Sequence, residues 1–408
     1  MAQVVIVGAG PAGAALALLL VRRGIAVTLV EVTKDFHRVF RGEGLMPSGL
    51  DALQQMGLSE VLEQIPHRPL DAWEFIVGDT QLFRVEEPMG SSQPCTLVSQ
   101  PPLLEALIAE AQPYEGFEFV QGVAVKDLVW SCDGQRPALG SDRIIGVKLA
   151  NGREIAADLV IGTDGRNSII RQRAGLELVK QPQDIGVLWF KLAAHPRFVE
   201  DNVFCTILKG DSGFSVFHGA EAGKLHLAWV LFAEDKTDRK QANWAEVFAA
   251  SSPDWLAEHF RNSADTIEPP IRLSVVVGRC PSWHKPGVLL LGDAAHPMSP
   301  VRAQGINLAL RDVIVAANYL VPVLMAGASP ELIDQALGQI QAEREPEIIR
   351  AQQLQQREAG QGDKLRKNRL ARALIMRLAP LFRRSLRQVW VKRQHDLREG
   401  VTSVRLVV

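Results

Sequence analysis

The chain has 408 residues, 47% of them hydrophobic and 22% charged, with a formal net charge of −1. This is ordinary globular composition, away from the disordered regime, and the near-neutral charge gives no argument for nucleic acid as a partner. The length exceeds what one core usually organises and points to two packed lobes.

The opening reads as a βαβ unit: a β-branched run at residues 4–7, a helix-forming stretch at 12–23 ended by Gly24, and a second buried strand at 27–30. The apolar part of that helix, residues 14–21, lacks the basic flank of a signal peptide and is too short to span a bilayer. With no other long uncharged apolar run, a soluble or at most peripheral protein is expected. Residues 47–56 and 102–111 read as helices with proline in the first turn. Short strands fill 117–163, with 131–143 as a polar hairpin loop. Alternating strands at 187–192, 203–208, 214–218 and 225–231 suggest a mostly antiparallel sheet, followed by a helical pair near 244–260. Residues 288–291 return to a buried strand, and long helices run from about residue 304 to the C-terminus. Cys95, Cys132, Cys205 and Cys280 form no C-x-x-C pair and suggest no disulfide framework, so a reduced, cytoplasmic setting is expected. No metal site is expected.

The turn between first strand and helix carries the first chemical motif, Val5-Ile6-Val7-Gly8-Ala9-Gly10-Pro11-Ala12-Gly13. Gly8 permits the tight turn, Gly10 lets backbone approach a pyrophosphate, and Gly13 lets the helix pack closely on the strand. The helix N-terminus offers amides and a positive dipole end to the phosphates. Glu31, ending the second strand, can accept hydrogen bonds from ribose hydroxyls and disfavours a 2′-phosphate, so the site suits FAD or NAD and not NADP.

Two further segments follow, Asp158-Leu159-Val160-Ile161-Gly162-Thr163-Asp164-Gly165 and Gly292-Asp293-Ala294-Ala295-His296-Pro297. With all three in this order, residues 1 to about 320 resemble the class A flavoprotein monooxygenases, the family of para-hydroxybenzoate hydroxylase and the ubiquinone-biosynthesis ring hydroxylases. The resemblance implies an α/β fold with a Rossmann-like FAD-binding lobe, an interleaved, mostly antiparallel β-sheet substrate lobe and a helical C-terminus. The FAD lobe is expected from residues 1–75, 100–183 and 273–360, the substrate lobe from 76–99 and 184–272, and a basic helical segment from 361–408.

The same resemblance implies site roles. Asp164 and Gly165, with Ser168 and Arg171, lie beside the FAD pyrophosphate, and Gly292 and Asp293 place a carboxylate on the ribityl chain. Arg41, in Phe40-Arg41-Gly42-Glu43-Gly44, packs by FAD, and Gln100 sits near the ribityl chain; Glu43 receives no role. Pro300 presents a backbone carbonyl toward the substrate side. Gly305-Ile306-Asn307 opens a helix whose amides and dipole face the flavin N1–C2 edge, which makes Pro300, Ile306 and Asn307 the catalytic candidates. Arg302 stands where the family often has glycine. It either binds an anionic substrate or stabilises a peroxide at the flavin face, or it points to solvent. His218, His226 and Trp229 are candidates for lining the substrate pocket, and His296 for a supporting role.

The implied reaction is hydroxylation of an electron-rich aromatic or quinone-precursor ring through a C4a-hydroperoxyflavin, with non-covalent FAD, NAD(P)H as reductant and dioxygen as co-substrate. No second nucleotide-binding unit is visible for NAD(P)H. A flavin halogenase would carry Trp-x-Trp-x-Ile-Pro, which is absent. A reductase of prenyl or other lipophilic substrates of the geranylgeranyl type, and a non-catalytic flavin-binding protein, stay open.

Residues 364–393 hold eleven Lys or Arg and no acid. Leu370, Leu374, Leu378, Phe382, Leu386 and Trp390 recur at helical spacing, and Pro380 is expected to kink or divide that helix. Three readings are open: a helix packed on the body with a solvated basic face, an interfacial helix making peripheral membrane contact, or a dimer contact. Oligomeric state is not legible.

Overall fold

The structure, a computed structural model, describes residues 2–36, 43–131, 142–182, 185–232, 242–273 and 275–408. Its first lobe is built on Gln3–Val7, which pairs in parallel with Ala26–Glu31 on one side and Leu159–Gly162 on the other. Phe117–Gln121 and Val288–Leu290 extend the sheet in parallel, and His284–Lys285 closes one edge antiparallel. Parallel strands are covered on both faces, which is why these segments read as unbroken β-branched and leucine runs. The helix Pro11–Val21 buries every residue from Ala12 onward and packs against the long helix Gln304–Met325. A three-stranded antiparallel sheet, Val125–Trp130, Ile144–Leu149 and Glu154–Ala156, packs beside the parallel one.

The second lobe is a seven-stranded sheet ordered Ile271–Leu273, Ile185–Ala193, Lys224–Phe232, Ser212–His218, Val203–Lys209, Ala72–Val77, Thr80–Glu86. Its last two strands come from much earlier in the chain, joined through the sheet's one parallel pairing, Val203–Lys209 with Ala72–Val77. The outer face is sealed by the helices Trp244–Ala250 and Asp254–Asn262 around Phe190, Phe214, Phe248 and Phe260. Trp229 stacks on Phe214 in that outer core. It therefore does not line a pocket between the lobes, because the two-residue alternation of its strand turns it away.

Two element boundaries differ from expectation. The helix predicted to start at 102 starts at Gln100, directly after Ser99, so Gln100 is helical. The C-terminal division falls at Asn368, which leaves helical geometry at φ −103°, ψ 91°, and not at Pro380: Arg369–Glu399 is one helix across that position. The break lets this helix fold back onto the preceding one and onto Thr80–Glu86. Among the described residues one helix, Val301–Met325, is long and apolar enough to cross a membrane, and 72% of its most apolar stretch is buried in the body of the protein.

Candidate active site

The first two glycine-bearing segments meet at a cavity of about 650 Å³, lined by Gly8, Gly10, Thr163 and Asp164 among others. Gly8 has φ +103°, and a Cβ there would lie 2.6 Å from the carbonyl oxygen of Thr163; a Cβ on Gly13 would lie 2.0 Å from the carbonyl oxygen of Gly8. Nothing stands within 4 Å of where a Cβ on Gly10 would be. Side chains are thus excluded where backbones touch, and Gly10 adds to the open space. The helix Pro11–Val21 begins here with Gly10 as N-cap and no capping side chain, so its amides and dipole serve an incoming anion.

Glu31 sits at the cavity wall and also builds it. One carboxylate oxygen accepts from the Ala9 amide at 2.9 Å, the other from the Thr33 amide and hydroxyl at 2.9 and 2.7 Å. Asp164 caps the short helix Ile169–Arg173, accepting from Ser168 Oγ and the amides of Ile169 and Ile170. Burial pushes its pKa up, against the pull of those same hydrogen bonds. Thr163 Oγ1 donates to the carbonyls of Val7 and Gly8, and Arg171 donates to the carbonyl of Ala294 at 2.8 Å. Segments lying far apart in sequence are in this way fastened directly to one another.

Beneath the Gly292–Ala294 turn lies a buried ionic network that sequence reasoning missed. Asp312 accepts from the Gly292 amide at 3.1 Å, from His296 Nε2 at 2.7 Å and from Arg344 Nε at 2.8 Å. Arg344 also pairs with Glu347, which pairs with Arg311 at 3.0 Å. Burial alone would raise the pKa of Asp312 and Glu347, but His296 and Arg344 for the first, and Arg344 and Arg311 for the second, outweigh it and hold both down. The available signal was Arg311-Asp312, a charged pair inside an otherwise uncharged helix.

Asp293 itself is exposed, and a Cβ on Gly305 would lie 3.7 Å from its Oδ1, so these two expected site residues are brought together. Asp293→Ala should keep the fold and weaken FAD binding about ten- to hundredfold, the effect of losing one charge-assisted hydrogen bond of about 1.5–3 kcal/mol. Flavin retention on gel filtration measures this, and unchanged retention removes Asp293 from the site.

Pro300, Ile306 and Asn307 lie at the start of the long helix and in the short turn before it. Asn307 is buried, its Oδ1 accepting from the Met46 amide at 2.8 Å and its Nδ2 donating to the carbonyls of Gly44 and Ala303 at 3.1 and 2.7 Å. Its amide staples residues 44–46 to the helix start, a positioning role. The Ile306 side chain packs in the first-lobe core. The Pro300 carbonyl already accepts from the Ala303 amide at 3.1 Å. The roles expected of these residues are backbone ones, separate from these side-chain contacts. Arg302 and Ala303 hold φ of +60° and +50°, a left-handed pair that costs non-glycine residues about 1–3 kcal/mol each. Gln355 donates to the carbonyls of Ser299 and Val301 and fixes the loop.

Arg302 does not point to solvent. Its side chain is 10% exposed, paired with Glu358, with its guanidinium 5.1 Å from the Trp73 ring and 4.9 Å from the Trp390 ring. Burial pushes Glu358 up, and the adjoining Arg302 charge outweighs it and holds its pKa down. Gln100 and Glu43 line the large cavity. Glu43 lies 3.0 Å from His226 Nδ1, whereas His218 faces away, holding the Gly219 carbonyl and the Gly223 amide. Arg41 lies outside the described residues.

The second sheet turns toward the first lobe a face with two rows of cross-strand neighbours. Lys191, His226 and Phe217 form one, continued by Phe204, stacked on Phe217 at 4.8 Å, and Trp73. Trp189, Ala228, Ser215, Thr206 and Phe75 form the other. Its centre is small and partly exposed, with Thr206 Oγ1 and Ser215 Oγ 3.2 Å apart and aromatic rings around them.

A glycine cradle with a strand-end carboxylate on its wall, together with Asp293 set beside Gly305, suits a dinucleotide such as FAD, and the protein is a flavoprotein. The chain belongs to the family described as the FAD binding domain, whose model matches residues 1–352. It is 31% identical over 360 residues to 6-methylpretetramide 4-monooxygenase of Streptomyces rimosus, covering 86% of this chain and 82% of that one. It is 28% identical over 348 residues to 3-demethoxyubiquinol 3-hydroxylase of Escherichia coli K12, covering 78% and 79%. Among solved structures, p-nitrophenol 4-monooxygenase PnpA of Pseudomonas putida superposes with a TM-score of 0.79 at 17% identity, over 99% of this chain and 100% of that one. PqsL of P. aeruginosa, in complex with 2-aminobenzoylacetate, gives 0.76 at 20%, over 93% and 99%. At such identities the structural likeness shows the fold alone. The sequence relatives and family place this chain among FAD-dependent monooxygenases, with the NAD(P)H reductant usual for them. When bound, FAD supplies the redox chemistry.

Because no cysteine or histidine attachment pattern stands at the flavin segments, FAD should be non-covalent. Denaturation should release yellow flavin running as FAD; flavin retained on the denatured chain, or running as FMN, refutes this.

Proposed function

We propose that the protein is a cytoplasmic hydroxylase of an electron-rich aromatic or quinone-precursor ring, lying against the interlobe face of the second sheet. One observation carries the reading: a floor of Ala228, Ser215 and Thr206 set among aromatic rings. Small residues leave room for a planar ring, the aromatic walls exclude water, and paired hydroxyls orient a ring oxygen. The Glu43 carboxylate and the His226 imidazole, 3.0 Å apart, set polar groups at the edge of this face. Gly10 and the Pro11–Val21 amides hold the pyrophosphate with Asp164 and Gly165, Glu31 the ribose, and Gln100, Asp293 and Gly305 the ribityl chain. The relatives are named for ring substrates, which supports the same class. Peripheral membrane contact through residues 364–393 belongs to this proposal, since a lipophilic ring substrate would reside there.

Ala228→Phe fills the floor without touching the cradle. Phenols that accelerate flavin reduction in the parent should lose that effect about tenfold or more, with FAD content unchanged. Unaltered stimulation places the substrate elsewhere.

A further inference from the structure

The helix Arg369–Glu399 has two unlike halves. One face of its C-terminal half is packed on the protein. Trp390 meets Phe75 at 5.1 Å, Phe83 at 5.8 Å and Trp73 at 6.2 Å, and Gln394, Leu397 and Arg398 are buried. Its N-terminal half exposes apolar side chains: Leu370 is 84% exposed, Leu381 77% and Phe382 52%. The stripe read as continuous from the sequence is therefore split. Leu386 and Trp390 are partly buried against the hairpin of the second sheet, while Leu370, Leu374 and Phe382 stand in the open. At 100° per residue, Leu370, Leu374, Leu381 and Phe382 fall within an arc of about 120°, and Arg369, Arg372, Arg377, Arg383 and Arg384 within about 140° on the other side. Apolar residues on one side, arginines on the other and no acid between 364 and 393 match an anionic lipid surface in both charge and depth.

This packed half is tied to the loop at the start of the helix Gln304–Met325. Gln394 donates to Glu358 at 3.0 Å, Glu358 holds Arg302, and Gln304 donates to the Leu397 carbonyl at 2.8 Å. Arg302 and Trp390 close the end of the interlobe face at Trp73 and Phe75, leaving a void of about 10 Å³, room for one water. No ring enters there while they stay in place. The loop they hold contains the left-handed pair Arg302 and Ala303, whose strain favours rearrangement once the side-chain ties loosen.

We propose that the 369–385 half of this helix docks on an anionic membrane and that docking loosens the Arg302–Trp390 plug, opening the interlobe face to ring substrates dissolved in the bilayer. This rests on the peripheral contact proposed above and adds its regulation. The helix spans about 46 Å at 1.5 Å per residue, so tilting its outer half onto a surface acts on the Trp390 end through one continuous element.

The test uses the full-length FAD-loaded protein with vesicles of phosphatidylglycerol and phosphatidylcholine, or of phosphatidylcholine alone. Protein should pellet with the anionic vesicles at low salt and less at high salt, where surface charge is screened. Leu381→Glu with Phe382→Glu should reduce the bound fraction about tenfold or more and leave basal NAD(P)H oxidation unchanged. Amide exchange in 300–304 and 390–398 should quicken about tenfold on vesicle binding, a readout independent of which substrate the enzyme takes. Pelleting without that change overturns the coupling while the membrane contact stands. Absence of pelleting at low salt overturns both. Self-association that the double variant abolishes, again without pelleting, assigns the face to a second copy and overturns the proposal.

Discussion

Asp312→Ala should destabilise the native protein by about 3–5 kcal/mol, the scale for removing one partner of a buried ionic network. The variant would leave Arg344 fully buried with half its compensation gone and would release the Gly292 amide and His296 together. The turn carrying Asp293 rests on those two groups, so FAD occupancy should fall with stability. The pH dependence has a definite sign. Asp312 and Glu347 are held below the ordinary carboxylate range, so their stabilisation is fully present above about pH 5 and is lost as pH falls through the lowered values. The parent should unfold steeply in acid, and Asp312→Ala should show a shallower dependence. Denaturant midpoints at several pH values measure both. A variant as stable as the parent at neutral pH would show that the network is not what holds the turn.

Gly13→Val should abolish FAD binding. Its Cβ alone would sit 2.0 Å from the Gly8 carbonyl and 2.6 Å from Thr163 Oγ1, atoms fixed by the strand pairing on either side. Relief requires the helix to move off the sheet, which costs more than the roughly 1–3 kcal/mol typical of an overpacked core and misplaces the amides that receive the pyrophosphate. The flavin absorbance of purified protein reads the result. Gly10→Ala is the control, since its Cβ meets no protein atom, and it should weaken binding without unfolding the chain. Full flavin loading of Gly13→Val would show that this turn does not set the cradle.

The first lobe was legible because its signals are local: glycines forced by backbone approach, β-branched runs forced by two-sided burial, a carboxylate at a strand end. The outward turn of Trp229 was not legible, since it depends on strand phase and on which face the helices cover. The side-chain contacts of Asn307 and Arg302 were not legible either. What decides their roles, the carbonyl of Gly44 and the rings of Trp73 and Trp390, lies hundreds or tens of residues away. The split of the basic helix was hidden for the same reason: a helical stripe states that a face is apolar and not what covers each part of it.

Oxygen transfer is the centre of this account, and labelled dioxygen tests it most directly. With NAD(P)H and a phenol that accelerates flavin reduction, the product should carry one labelled oxygen on its ring, with about one NAD(P)H consumed per product when transfer is coupled. A reduced, unlabelled product, or hydrogen peroxide alone with every ring compound that speeds flavin reduction, would contradict it.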